Sequence, residues 1–355
     1  MGRILSLIVW IMAVGTSAPA VAPYPVVRPG IVLRFPADHG AHPAFRTEWW
    51  YVTGWLRTSA GEDLGFQVTF FRTRPPTDAR NPSRFAAGQI LFAHAALSDS
   101  ATGRMLHDER AARAGFGLAQ ASTADAHVAI GDWRLLRKPE GTWTTRVNAK
   151  EFALALTFLQ TQPPLAQGQG GYSRKGLRPE QASYYYSIPH LRVGGKVRRG
   201  GRTVAVTGEA WLDREWSSNY LAPNAQGWDW TGLNFTDGSS LMAFRIRRRG
   251  GGTLWAGGSL RQADGTTTVL GPDDVRFRPL ATWRSPATGA VYPVSQELSI
   301  RSKGRIVKWR LVPMFSAQEL DTRRSGLPVY WEGAVRTQGG RGYLELTGYN
   351  RALTM

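Results

Sequence analysis

The chain has 355 residues, 42% of them hydrophobic, and no cysteine. This composition excludes a disordered chain, a disulfide framework and a thiolate nucleophile. The formal net charge is +18, but the arginines are scattered along strand-like segments, and no motif or basic stripe of a nucleic-acid binder is present. Two readings of the charge stay open: attraction to an anionic membrane surface, or an arginine-rich composition with no role of its own.

The N-terminus carries Arg3, an apolar run from Ile4 to Val14, and Ala18-Pro19-Ala20 as a small-x-small cleavage site. This pattern predicts a secretory signal over residues 1–20. The apolar run is too short to span a bilayer. The expected location is outside the cytoplasm, most simply a bacterial periplasm. Residues 21–45 form a proline-rich, extended lead-in. Asp38, His39 and His42 would suit a metal only on a regular helix, which Gly40 and Pro43 deny, so no metal site is expected.

From Thr47 onward the pattern is β. Glu48-Trp49-Trp50-Tyr51-Val52-Thr53-Gly54 is aromatic and β-branched, a turn follows at Ala60 to Asp63, and Leu64 to Phe71 reads as the hairpin partner. Similar short runs continue to Phe158. A Pro/Gln/Gly loop over residues 162–171 leads into Gly171-Tyr172-Ser173-Arg174-Lys175-Gly176. That segment lacks the glycine spacing and the helix of a phosphate loop. It reads as an exposed loop or as a basic lid over a pocket mouth. Ser183 to Leu191 and Val204 to Leu212 are further strands.

A second series then repeats the first. Trp49 to Gly54 is echoed by Trp228 to Gly232, and Phe71-Arg72 by Phe244-Arg245. Tyr184-Tyr185-Tyr186 is echoed by Val329-Tyr330-Trp331, and Val204 to Gly208 by Leu344 to Gly348. The order is the same in both, so the chain reads as a duplicated β unit. The predicted fold is all-β: two tandem lipocalin-like antiparallel β-barrels, over residues 46–222 and 223–355.

Between the units lies Gly208-Glu209-Ala210-Trp211-Leu212-Asp213-Arg214-Glu215-Trp216. By the echo at Gly208 and Gly348, its carboxylates look like an addition to the repeat. They are either a structural ion-pair cluster or an acid held in aromatic company, where burial raises a carboxylate's pKa. Asp213 and Glu215 share a face if the strand continues that far. Arg214 either pairs with Asp213 and keeps it ionised, or pairs with Glu215 and leaves Asp213 in apolar surroundings.

The runs Thr47 to Gly54, Gly171 to Gly176, Gly208 to Ser218 and Tyr330-Trp331-Glu332-Gly333-Ala334-Val335 together resemble the AttH-like, carotenoid 1,2-hydratase-related family of secreted proteins. The resemblance implies two lipocalin-like barrels and addition of water to an isoprenoid double bond without a cofactor. It also implies an acid two residues after an aromatic, matched by Trp211-Leu212-Asp213. The family's His, followed two residues later by Trp, has no match: the corresponding run is Tyr184-Tyr185-Tyr186.

Two functions of different class follow. The first is a hydratase acting on an isoprenoid or lipid-like molecule. Asp213 would be the acid, Glu215 or Tyr185 would activate water, and Trp211 and Trp216 would stabilise the cation. The second is a periplasmic carrier of a hydrophobic ligand, or an accessory of an ABC-type exporter. A glycosidase using Asp213 with Glu48 or Glu215 ranks third. In either leading case Glu48, Trp50, Arg174 and the segment Trp211 to Trp216, Arg214 included, are expected to meet at one cavity in or beside the first unit.

Overall fold

The computed structural model describes residues 23–76, 83 and 85–353. The signal segment predicted over residues 1–20 lies outside them.

Among the described residues the regular structure is antiparallel strand, with two short 3-10 turns at Ala37–His39 and Arg323–Ser325. The first sheet contains β1 (Thr47–Thr58), β2 (Asp63–Thr73), β3 (Ile90–Asp99), β4 (Arg104–Arg113), β5 (Ala119–Ala121), β6 (His127–Ile130) and β7 (Trp133–Arg137). It continues with β8 (Trp143–Asn148), β9 (Phe152–Leu159), β10 (Leu165–Ala166), β11 (Tyr172–Arg174), β12 (Ala182–Arg199) and β13 (Arg202–Asn219). The second sheet contains β14 (Ala225–Phe235), β15 (Ser240–Arg248), β16 (Thr253–Arg261), β17 (Thr267–Leu270) and β18 (Val275–Arg284). Its remaining strands are β19 (Val291–Ser302), β20 (Arg305–Pro313), β21 (Glu319–Leu320), β22 (Tyr330–Thr337) and β23 (Gly340–Leu346).

The duplication is visible in the topology. The first sheet runs β4-β3-β2-β1-β13-β12-β9-β8-β7-β6-β5, and the second runs β17-β16-β15-β14-β23-β22-β20-β19-β18. The block β2-β1-β13-β12-β9 therefore has β15-β14-β23-β22-β20 as its counterpart. Each sheet curls round its own apolar interior. Leu56, Phe66, Trp133 and Phe158 fill the first. Leu233, Leu298, Trp331 and Leu344 fill the second.

The equivalent blocks of strands meet across the junction, β1 against β23 and β13 against β14. Side chains alternate along a strand, so one set enters its own barrel and the other meets the opposite unit. On β1, Trp50, Val52 and Leu56 point into the first barrel. Tyr51 and Trp55 instead join Trp211, Trp230, Phe244 and Tyr343 in a third, inter-unit cluster. The approach is close: a Cβ on Gly65 would lie 2.7 Å from the Tyr343 hydroxyl and 2.9 Å from Cβ of Ala334. Trp55 also donates its indole N–H to the Gly342 carbonyl at 3.0 Å.

The ladder registers correct one reading of the sequence. Glu48 pairs with Trp216 on β13 and Arg72 on β2, while Asp229 pairs with Leu346 on β23 and Arg245 on β15. Both carboxylates are buried and bound to the paired arginine. On this register Leu346 is the counterpart of Trp216, not of Val206, and Glu345 is the counterpart of Glu215. The acidic segment is thus part of the repeat, not an addition to it.

Candidate active site at the junction of the two units

A cavity of about 330 Å³ lies where the facing strands diverge. Its walls are aromatic, with Trp49, Tyr51 and Phe71 from one unit and Trp228, Trp230 and Phe244 from the other. Four carboxyl groups line it: Asp213 and Glu215 from β13, Glu332 from β22 and Glu345 from β23. The volume lies in the range of small-molecule sites, and such sites favour unit junctions.

Asp213 is buried and bound by three neutral donors. Ser187 Oγ and Trp211 Nε1 donate to Oδ1 at 2.5 and 2.6 Å, and the Tyr185 hydroxyl donates to Oδ2 at 2.6 Å. Trp230 Nε1 of the second unit donates to the same Tyr185 oxygen at 3.0 Å. Burial pushes Asp213 up to about 7, the three donors hold it back, and the Glu215 charge adds to the rise. The group therefore titrates near neutral pH, where a general acid is useful.

Glu215 shares that face because β13 extends through Asn219. It accepts a short hydrogen bond from Ser183 and pairs with Lys175 Nζ at 3.0 Å. Lys175 also packs its ammonium 4.2 Å from the Phe244 ring centroid and 4.7 Å from that of Tyr185. Burial raises Glu215 and lowers Lys175, and their mutual attraction opposes both shifts.

The structure brings Asp213, Glu215, Tyr185 and Trp211 together and separates the other expected site residues from them. Glu48, Trp50, Arg214 and Trp216 occupy alternate positions of the same strands, so they point into the first barrel. There Glu48 accepts from Arg72, from Arg214 Nη2 at 2.7 Å, and from the His42 backbone N–H at 3.0 Å. Arg214 pairs with neither neighbouring carboxylate. Its guanidinium lies 3.9 Å from the Trp50 ring centroid and donates to the carbonyls of His39 and Gly40. Trp216 stacks on His42 at 3.8 Å. This set fastens the lead-in to the barrel, and Trp50 Nε1 adds a bond to the His39 carbonyl at 2.9 Å. Arg174 is also outside the cavity lining. It donates to the Gly176 and Leu177 carbonyls and lies 4.4 Å from the Trp255 ring centroid. Its neighbour Lys175, itself behind the lining, is the residue that reaches the site's Glu215.

Four further residues of the site escaped the sequence reading. Glu345 accepts from Trp228 Nε1 at 2.9 Å and is raised to about 7 by burial, with Asp213 and Glu215 adding to the shift. Glu332 is 2% exposed, its carboxylate oxygens make no well-formed hydrogen bond, and the Tyr51 hydroxyl beside them interacts with the carboxylate. Burial and the nearby Glu345 push it well above the usual carboxylate range. His94 and Tyr330 also line the cavity, 3.0 Å apart from Nδ1 to hydroxyl, and burial lowers His94 to about 3. The second-unit carboxyls were legible only through the repeat, once its register was right.

Fold and site together define a tandem lipocalin-like β protein with an acidic, aromatic cavity between its units. Its residues 26–349 match the AttH-like family, and the chain belongs to that family. A crystal structure of an AttH-type protein from Nitrosomonas europaea is similar at 50% identity and a TM-score of 0.85, covering 92% of this chain and 99% of that one. Kievitone hydratase from Nectria haematococca is similar in fold at 15% identity and a TM-score of 0.67, covering 94% and 98%. So is CghA with Sch210972, at 15% identity, a TM-score of 0.56, and 93% and 97% coverage. No curated protein matches the chain.

Proposed function

We propose that the protein is a hydro-lyase that adds water across a C=C bond of a hydrophobic, isoprenoid- or lipid-like substrate, without a cofactor. The observation that carries this reading is Asp213: a buried carboxyl titrating near 7, on the wall of an aromatic cavity. In the forward direction the Asp213 O–H bond breaks and its proton goes to one alkene carbon, using the π pair. The adjacent carbon becomes cationic. The faces of Trp49, Trp228 and Trp230 stabilise it, each by about 0.5–2 kcal/mol. Water attacks that carbon, a C–O bond forms, and the proton lost from water returns to the Asp213 carboxylate. Tyr185 holds that carboxylate in place and links it to Trp230 of the second unit. That a protein of the same fold is named a hydratase agrees with this chemistry.

A second reading is a carrier of hydrophobic ligands that serves an exporter. One observation favours it: three donors hold the Asp213 carboxyl in place, as in a structural residue, and the aromatic cavity can hold a ligand without any chemistry. Both readings have the protein acting outside the cytoplasm, near an anionic membrane surface, after loss of residues 1–20. The test is incubation with a panel of isoprenoid alcohols and unsaturated fatty acids in heavy-oxygen water. A hydratase yields a product one water heavier that carries the label. A carrier retains the ligand unchanged, and unchanged recovery of the whole panel would remove the hydratase reading for these substrates.

A further inference from the structure

The two units treat their equivalent carboxylates differently. Glu215 and Glu345 correspond through the ladder registers, as do Tyr184 and Trp331 one strand further on. Tyr172 pairs with Tyr184, and Glu319 pairs with Trp331. Three residues beyond these stand Lys175 in the first unit and Thr322 in the second. Lys175 turns its ammonium onto Glu215. Thr322 is buried and donates to the Pro328 carbonyl at 2.6 Å instead. Glu345 therefore has the carboxylate of its counterpart without the cation.

Glu332 joins it. The two face each other as cross-strand partners on β22 and β23, a placement that disfavours like charges. Among the described residues neither has an ion-pair partner. The titratable groups around them are the hydroxyls of Tyr51, Tyr220, Tyr330 and Tyr343, with Asp213 and Glu215 beyond Glu345. Independent of the carboxyls, one more lining group is buried with an atom lacking a partner: Nε2 of His94, on a residue 1% exposed. Buried polar atoms without partners are rare and call for a ligand or water. The acidic cavity sits in a chain of net charge +18, so its sign is a local feature of this site.

We propose that the cavity takes an amphiphilic primary amine, with the ammonium group between Glu332 and Glu345 and the hydrocarbon body along the aromatic walls toward Asp213. The ligand supplies the cation that Lys175 supplies in the first unit. Three ammonium donors match the carboxylate oxygens and the Tyr51 hydroxyl, and the Trp228 face adds cation–π attraction. This inference rests on reading the cavity as the substrate site and specifies one end of the substrate. Burial raises both carboxyls, and an ammonium group favours their ionised forms, so amine binding releases protons and tightens as pH rises.

The test is tryptophan-fluorescence and calorimetric titration with dodecylamine, dodecanol and dodecanoate below their micellar concentrations. Near pH 8 the amine binds about 10-fold or more tighter than the alcohol, and dodecanoate binds weakest despite the protein's positive charge. Glu332→Gln or Glu345→Gln brings amine and alcohol together, and the wild-type amine titration releases protons to the buffer. Equal binding of amine and alcohol, or preferred binding of dodecanoate, overturns the proposal. So does an unchanged ratio in Glu332→Gln. If either variant fails to fold, the wild-type ranking still decides. Alkene hydration without amine preference would sink this inference and leave the hydratase reading standing. Amine preference without turnover would do the reverse.

Discussion

Replacing Glu48 by Gln removes the carboxylate that pairs with both Arg72 and Arg214 inside the first barrel. Glu48 is fully buried, and both arginines are 1% exposed or less. Burial alone would raise the Glu48 pKa. The Arg214 guanidinium, His42 and Arg72 overcome that and draw it down to about 2 from the usual 4.5. That depression corresponds to about 3 kcal/mol of stabilisation. It is fully present above the unfolded value and is lost as pH falls through about 2. Breaking a buried pair by removing one partner costs about 3–5 kcal/mol by general experience, so the two figures agree. The assay is urea unfolding near pH 7, followed by tryptophan fluorescence. The Glu48→Gln protein is expected to lose about 3–5 kcal/mol in the transition of the first unit. Its lead-in, held through the His39, Gly40 and His42 backbone, should become protease-sensitive at the same time. A loss below about 1 kcal/mol would refute the account of Glu48 as the anchor of the lead-in.

Further outcomes follow from the same geometry. Lys175→Met leaves Glu215 buried without its cation, and adding Glu215→Gln should recover most of the lost stability; a double-mutant cycle measures the coupling. Gly65→Val forces a side chain against Tyr343 and Ala334 at the junction, and it should cost about 1–3 kcal/mol by overpacking and weaken ligand binding. Asp213 and Glu345 have folded pKa values raised to about 7. Their contribution to stability is full below the unfolded carboxylate values and is lost as pH rises through about 7. Melting temperature should therefore fall across that window, and less steeply in Asp213→Asn.

Much of the fold was legible because strand patterns are local. Period-two alternation, Gly/Asp turns and the matched landmarks Phe71-Arg72 and Phe244-Arg245 gave two all-β units. The same alternation put Asp213 and Glu215 on one face. Alternation sorts residues into two sets, however, without saying which set faces the barrel interior and which faces the other unit. Glu48, Trp50, Arg214 and Trp216 are near Asp213 in sequence or across the ladder, yet they belong to the inward set. Glu332 and Glu345 were hidden for another reason. The Thr207-Gly208 and Thr347-Gly348 echo suggested a register that the hydrogen-bonded ladders do not have. Lys175 could not be told from Arg174, since the path of a loop decides which of two adjacent cations reaches Glu215.

The central claim, that Asp213 is the proton donor of an acid-catalysed addition, is tested most directly by Asp213→Asn. Once the substrate panel has yielded a hydrated product, the variant should keep the wild-type affinity for that substrate and a folded state of similar stability. Turnover should fall by a factor on the order of 100 or more, and the wild-type rate should decline as pH rises above about 7, where Asp213 gives up its proton. Turnover within a few-fold of wild type in a folded Asp213→Asn protein would contradict the claim.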